Sequence, residues 1–77
     1  MDVVQRLGVK VRERRTALGL SQEELAFEAG MKRSYLSDLE RGVRNPTVRA
    51  LGRLATALRL EPWELLMPVE GDPPQSA

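Results

Sequence analysis

The chain has 77 residues, a length that predicts one small domain with a limited hydrophobic core. It contains no cysteine, which excludes disulfide bonds and thiolate metal sites. It contains no histidine, which removes the commonest general base and the commonest neutral metal ligand. This composition argues against an enzyme, and no metal or cofactor is predicted. It favours a protein that acts through its surface.

No apolar segment approaches the ~20 residues that cross a bilayer, and the N-terminus lacks the pattern of a signal peptide. We therefore expect a soluble, cytoplasmic protein. The net charge of +1 conceals an uneven distribution, because residues 32–59 carry seven Lys and Arg side chains against two Asp and Glu. A basic region on an otherwise balanced protein favours contact with phosphate, although a solvated arginine-rich surface has the same composition.

Helix 1 is predicted from about Val3 to Leu18, where apolar residues recur at helical spacing, and Gly19 is a typical C-terminal stop. Ser21 and Glu24 have the spacing of a capping box. This pattern predicts helix 2 from about Gln22 to Ala29.

Gly30 suits the left-handed conformation that ends a helix. Helix 3 is predicted to follow at once, from about Lys32 to Arg41, with Leu36 and Leu39 facing the core. Gly42 is predicted to end helix 3, and the segment that follows it is a loop because its asparagine precedes a proline.

Thr47 is the predicted N-cap of helix 4. The apolar stripe of that helix is predicted to contain Val48, Leu51, Leu54, Ala55 and Leu58. A short helix 5 begins at Pro62 and stops before Pro68. We therefore expect an all-α domain of five helices over residues 1–67, including a C-terminal dimerisation helix, and a flexible tail over residues 68–77.

Two short helices joined by a tight turn that contains glycine are typical of a helix-turn-helix unit. Ala26 provides the small residue where helices 2 and 3 cross, and Gly30 provides the turn. In this unit the N-terminal part of the second helix enters the major groove of DNA. The predicted outer face of helix 3 contains Lys32, Arg33, Ser34, Tyr35, Ser37, Asp38 and Arg41.

Three segments of the chain, "LGLSQEELAFEAG", "SYLSDLERGVRNPTVRALGRLATAL" and "EPWELL", resemble the helix-turn-helix family of phage repressor and Cro type, the XRE family. Within that family, "RSYLSDLERGVRNPT" is similar to the controller proteins of restriction–modification systems. The resemblance implies a lambda-repressor-like domain. It also implies a compact dimer that regulates its own gene and an endonuclease gene.

Arg33 is the first candidate for a contact with base edges, since a guanidinium can bond the O6 and N7 atoms of guanine together. A phosphate contact or a plain surface arginine are equal alternatives. Lys32 is expected to contact phosphate. The polar side chains of Ser34, Tyr35 and Ser37 are candidates for phosphate or base contacts, and Tyr35 has the alternative of packing against Arg33 or Arg41.

The resemblance places further contacts outside helix 3. Gln22, at the N-terminus of helix 2, is expected to meet a phosphate, in agreement with the anion preference of helix N-termini. The loop with Arg44 and Asn45 is expected to follow the DNA backbone, with Arg44 placed to enter a groove. Thr47 would lie near the same strand, which is compatible with its predicted capping role. Arg41 completes the predicted contact surface.

Glu40 lies on the inner side of helix 3, and in relatives a glutamate at this position pairs with an arginine of helix 1. The resemblance therefore implies a largely buried ion pair between Glu40 and Arg15, with Arg12 as the alternative donor. Its expected role is to hold helix 3 in place.

Trp63 stands where relatives usually have a polar residue. An apolar side chain at such a position suggests a partner surface. We predict a two-fold dimer interface with Trp63, Leu66 and Met67. The alternative is that Trp63 packs on its own domain.

The leading hypothesis is a sequence-specific DNA-binding transcriptional regulator that binds an inverted-repeat operator in double-stranded DNA as a homodimer. RNA polymerase is a further candidate partner. The alternative is a general XRE-type repressor or an antitoxin whose main partner is another protein. The short polar segment of about ten residues after Leu66 argues against an antitoxin that wraps a toxin.

Overall fold

The structure is a computed structural model that describes residues 1–68. Within this range the chain forms four α-helices and one short 3-10 helix. The α-helices are α1 (Val3–Ala17), α2 (Gln22–Ala29), α3 (Arg33–Glu40) and α4 (Val48–Ala57), and the 3-10 helix spans Pro62–Leu66. None of these helices is long and apolar enough to cross a membrane.

The predicted fifth helix is not an α-helix, so the expectation of five helices is wrong. The segment Pro62–Leu66 has five residues and takes 3-10 geometry, and Met67 after it is already extended. A segment of one to two turns gains few α-helical hydrogen bonds, and the tighter 3-10 turn is common in such short pieces. The predicted tail over residues 68–77 lies outside the described residues from residue 69 onward.

The capping box at the start of α2 is formed as the sequence predicts. The Ser21 hydroxyl accepts a bond from the Glu24 backbone N–H at 3.0 Å, and the Ser21 backbone N–H donates to the Glu24 carboxylate at 2.9 Å. These hydrogen bonds, the backbone one first, lower the pKa of Glu24. Because the charged form is the bonded form, this stabilisation is present above the ordinary pKa of glutamate and is lost as the pH falls.

The turn between α2 and α3 depends on Gly30. Its φ of 68° lies in the left-handed region, which glycine adopts without steric penalty. The backbone N–H of Met31 then returns to the carbonyl of Ala26 at 2.9 Å. The chain therefore changes direction immediately after Ala29, as the sequence predicts.

The end of α4 uses the same geometry without a glycine. Arg59 has a φ of 61°, the one positive value at a non-glycine residue in the described chain. The N–H of Leu60 reaches back to the carbonyl of Ala55 at 2.8 Å, which closes the helix end. A left-handed conformation is unfavourable for a residue with a Cβ atom, so Arg59 holds this turn under strain.

The core lies between the helices, with α1 packed on α3 and α2 packed on α4. Its fully buried large side chains are Val11, Leu25, Leu36, Leu39, Leu54, Leu58 and Leu65. Val48 was predicted in the apolar stripe of α4, and this prediction is wrong because the side chain is 85% exposed. Ala50 begins the buried line instead, and a residue two positions earlier lies about 200° around the helix from it.

The contact between α1 and α3 is set by a glycine that the sequence analysis did not single out. A Cβ atom added to Gly8 would lie 2.5 Å from the carbonyl oxygen of Leu39 and 2.8 Å from that of Glu40. These distances are well below van der Waals contact. The backbones of α1 and α3 can therefore approach this closely only because residue 8 has no side chain.

Candidate nucleic-acid interface

Helix α3 is one residue shorter at each end than predicted. Lys32 is its N-cap, with extended backbone angles and no capping bond from the side chain, and Arg41 is its C-cap. Leu36 and Leu39 are fully buried and fix the inner face of the helix against the core. The rotation of α3, and hence which residues face solvent, follows from these two anchors.

The first turn of α3 presents a polar, basic surface. Lys32, Arg33 and Ser34 are all exposed, whereas Tyr35 and Ser37 are half-buried. Among residues 1–68, no hydrogen bond or ion pair engages the side chains of Lys32, Arg33 or Ser34. These three groups keep their full hydrogen-bonding capacity for a ligand.

Asp38 organises the second half of the outer face. One carboxylate oxygen lies 2.6 Å from Nη2 of Arg41, and the other lies 3.5 Å from Nη2 of Arg44. The guanidinium carbon of Arg44 lies 4.8 Å from the centre of the Tyr35 ring. The proposed packing partners of Tyr35 were Arg33 and Arg41, and the structure replaces them with Arg44, which the loop after α3 brings back over the ring.

Beneath this surface, Arg15 and Glu40 form the ion pair that the resemblance implies. Nε of Arg15 lies 2.7 Å from Oε2 of Glu40 and Nη2 lies 3.1 Å from Oε1, so the contact is bidentate. The side chains are 13% and 4% exposed. Arg15 also donates to the carbonyl of Leu20 at 2.9 Å. Arg12, the alternative donor, is exposed and takes no part in the pair.

Gln22 has a contact that was not predicted from the sequence. Its side-chain Nε2 donates to Oε1 of Glu40 at 3.0 Å. The amide of Gln22 therefore links the start of α2 to the end of α3, and Glu40 accepts bonds from two different helices. The phosphate contact of Gln22 stays a prediction, and its backbone N–H at the helix N-terminus is the group available for it.

The loop and α4 complete the surface. Arg44, Asn45 and Thr47 are exposed, and the Thr47 hydroxyl accepts from the Ala50 backbone N–H at 3.0 Å, as expected of an N-cap. An open groove beside the first turn of α3 is lined in part by Lys32, Ser34, Tyr35, Arg44, Thr47 and Arg53. Arg53, from α4, was not predicted at this site. Its signal in the sequence is its position four residues after Arg49, on the polar face of α4.

A second missed residue acts on the fold of the C-terminal half. Nε of Arg14 donates to the carbonyl of Leu58 at 3.0 Å, so α1 provides a charged cap for the end of α4. A cation at a helix C-terminus is favourable because it offsets the unsatisfied carbonyls there. No role was predicted for Arg14 from the sequence.

The predicted dimer residues lie on and just after the 3-10 helix. Leu65 is fully buried and anchors this segment, whereas Trp63, Leu66 and Met67 are 62%, 38% and 48% exposed. Trp63 therefore does not cover the core of its own domain. We call these three exposed apolar side chains, which lie within five residues of the chain, the C-terminal apolar patch.

The helices α2 and α3, with the left-handed turn between them, define a helix-turn-helix protein. The helix-turn-helix family profile matches residues 11–65, and the chain belongs to this family, in its XRE branch. An uncharacterized HTH-type transcriptional regulator, y4dJ of Sinorhizobium fredii, is 42% identical over 73 residues, which cover 95% of both chains.

Two solved structures show the same fold. The restriction–modification controller protein C.AhdI from Aeromonas hydrophila is 52% identical, with a TM-score of 0.78, and the match covers 80% of this chain and 94% of that chain. SinR, a master regulator for biofilm formation solved in complex with DNA, is 34% identical, with a TM-score of 0.76 and coverage of 79% and 98%.

Proposed function

We propose that this protein is a sequence-specific transcriptional regulator of the restriction–modification controller type, which binds an inverted-repeat operator as a homodimer. One observation carries the proposal. Lys32, Arg33 and Ser34 are exposed and unengaged at the N-terminal end of a helix that is anchored by the fully buried Leu36 and Leu39. The similarity to the controller protein C.AhdI supports the subclass.

The basic groups divide into two proposed roles. Arg33, the first residue of α3, contacts base edges, because its planar guanidinium matches the paired acceptors of guanine. Lys32 and Arg41 contact phosphate, together with the backbone N–H groups at the start of α2 near Gln22. Asn45 and Thr47 continue the contact along the DNA backbone, and Arg44 enters a groove.

The surface around α3 is basic but not uniformly so. Lys32, Arg33, Arg41, Arg44 and Arg53 provide the positive charges, and Asp38 is the acidic group placed among them. Phosphate contacts of this kind supply most of the affinity and make it strongly dependent on salt. Sequence preference then depends on the few side chains that reach base edges.

The homodimer is proposed to form through the C-terminal apolar patch. Burying Trp63, Leu66 and Met67 against a second copy removes exposed apolar surface, and aromatic and methionine side chains are enriched in the centres of such interfaces. A two-fold dimer presents two copies of α3, and half-site centres about 34 Å apart match one turn of DNA. RNA polymerase is a proposed further partner where the bound dimer activates transcription.

The test is a selection of binding sites from a pool of random duplexes with the full-length protein. We expect enrichment of an inverted repeat whose half-sites are one helical turn apart. Failure to enrich any sequence at low salt contradicts the DNA-binding proposal. Enrichment of a single half-site, together with sedimentation as a monomer at about tens of micromolar protein, contradicts the homodimer but not the DNA-binding proposal.

A further inference from the structure

Asp38 is an acidic side chain at the centre of a surface that is otherwise basic, and it is engaged on both oxygens. Arg41 takes one oxygen at 2.6 Å and Arg44 approaches the other at 3.5 Å. The Asp38 side chain is 33% exposed, so it can meet solvent or a ligand while it holds the two arginines. A single carboxylate that holds two guanidinium groups fixes more geometry than an isolated surface pair.

Arg44 is restrained from two directions. The ring of Tyr35 lies on one side of its guanidinium, 4.8 Å away, and Asp38 contacts its Nη2 atom. The loop backbone is fixed to the same residue, because the N–H of Val43 donates to the carbonyl of Asp38 at 3.1 Å. The backbone of residue 38 therefore holds the start of the loop, and its carboxylate contacts the end of the Arg44 side chain.

The contact with Asp38 involves only the Nη2 group of Arg44. A guanidinium has five N–H donors, so Nε and Nη1 remain free to bond a ligand while the pair with Asp38 persists. A side chain held in its bound orientation loses less conformational entropy on binding than one that rotates freely in water. This advantage depends on the orientation, so it favours only those sequences that place acceptors where Arg44 points.

We propose that Asp38 is a positioning residue that orients Arg44 for base contact, and thereby increases discrimination between DNA sequences while lowering affinity for DNA in general. This inference rests on the proposed DNA-binding function. The loss of general affinity follows from charge, since a carboxylate near the phosphate backbone repels it regardless of sequence. The gain in discrimination follows from the fixed direction of Arg44.

The experiment uses the full chain and compares two duplexes, the sequence selected from the random pool and a scrambled duplex of the same length. Dissociation constants are measured for the wild type, Asp38→Asn, Arg44→Ala and the double variant. Glu13→Gln is the matched control, because it removes the same charge from an exposed position on α1. Thermal unfolding of each variant verifies that the fold is retained.

We expect Asp38→Asn to bind the scrambled duplex more tightly than the wild type and to lose about tenfold in the ratio of the two dissociation constants, the scale of one specific base contact. In the Arg44→Ala background, Asp38→Asn should have almost no effect on that ratio, because Asp38 acts through Arg44. A change of up to about twofold counts as no effect, since independent sites deviate from additivity by that much. Glu13→Gln should leave the ratio at the wild-type value.

An unchanged ratio in Asp38→Asn overturns the inference while the proposed function stands. The inference is also overturned if Asp38→Asn lowers the ratio equally in the wild-type and Arg44→Ala backgrounds. That result would assign Asp38 a direct contact with a base. If the wild-type protein binds both duplexes equally, the proposed function and this inference are both contradicted.

Discussion

The two faces of α3 are held by different kinds of contact. On the inner face, Leu36 and Leu39 are fully buried and Glu40 is in a bidentate ion pair with Arg15 at 2.7 Å. On the outer face, Lys32 and Arg33 are exposed and unengaged. Residues within one turn of the same helix therefore have opposite consequences, since the inner contacts set stability and the exposed groups are available for binding.

This separation has a physical origin in the helical period. Side chains three or four residues apart share a face, so Leu36, Leu39 and Glu40 lie together on the inner side, whereas Lys32 and Arg33 stand exposed at the N-terminal end of the helix, before its first full turn. It follows that substitutions on the inner face should change the free energy of unfolding, and substitutions on the outer face should change DNA binding with little effect on unfolding.

The largest expected effect is that of Glu40→Ala. It leaves the guanidinium of Arg15, whose side chain is 13% exposed, without its carboxylate partner. We expect a loss of about 3–5 kcal/mol in the free energy of unfolding, as for other broken buried ion pairs. Urea unfolding measures this loss. Glu28→Ala, an exposed position on α2, is the control, and an equal midpoint for Glu40→Ala and wild type would contradict the role given to the pair.

Gly8→Ala tests the close approach of α1 to the end of α3. The new methyl group would lie 2.5 Å from the Leu39 carbonyl oxygen, so the helices must move apart. Overpacking of this kind costs about 1–3 kcal/mol of stability. Gly52→Ala in α4 is a matched control, since nothing lies within 4 Å of its added Cβ atom. That variant should gain about 0.5–1 kcal/mol from helix propensity.

If both glycine variants unfold at the wild-type denaturant concentration, the tight contact at Gly8 is not a constraint on the fold. If both are destabilised equally, the effect belongs to glycine replacement in general and not to the crossing of α1 and α3.

Arg33→Ala and Lys32→Ala compare two neighbouring positions on the outer face. We expect Arg33→Ala to weaken binding to the selected duplex by about 1–3 kcal/mol and to relax preference at one base position. Lys32→Ala should weaken binding to all sequences alike. It should also make the plot of log affinity against log salt concentration less steep by about one unit, the contribution of one phosphate contact. Titrations at several salt concentrations measure both effects. If Lys32→Ala relaxes the sequence preference and Arg33→Ala weakens binding to all sequences alike, the proposed roles of the two residues are exchanged.

Neither of these variants should alter thermal unfolding by more than about 0.5 kcal/mol, because exposed positions away from caps and buried contacts rarely do. Lys32 is an N-cap residue, but its side chain makes no capping bond. A large loss of stability in Lys32→Ala would therefore show that the two faces are not independent.

The smallest expected effect is a gain. Arg59→Gly relieves the left-handed strain at the end of α4, where φ is 61°. The gain is partly offset because glycine has more freedom in the unfolded chain. We expect a net stabilisation of about 0.5–1 kcal/mol by urea unfolding. A decrease in the free energy of unfolding would mean that the Arg59 side chain stabilises the fold by more than its backbone strain destabilises it.

Local signals in the sequence were sufficient for most of the fold. The capping box at Ser21 and the glycine at residue 30 each act within a few residues, and α2 has the predicted bounds. The short 3-10 helix was mistaken for an α-helix because proline and apolar residues are compatible with either turn. Val48 was misplaced because it stands at the N-terminus of α4, where only one side of the helix contacts other elements.

The site was only partly accessible from the sequence, because several of its contacts join residues far apart in the chain. The pair of Arg15 and Glu40 was found through the resemblance and not through spacing. The bond from Arg14 to the Leu58 carbonyl joins residues 44 positions apart and has no local signal. The approach of Arg44 to Tyr35 depends on the path of the loop after α3, which hydrophobic periodicity does not describe.

The positions of the two ring chromophores have a practical consequence. The chain contains one tyrosine and one tryptophan. Tyr35 lies beneath Arg44 on α3, and Trp63 stands 62% exposed on the 3-10 helix. Light at the red edge of the absorption band excites Trp63 and not Tyr35, so tryptophan emission follows the C-terminal apolar patch in the unlabelled protein and tests the proposed self-association there.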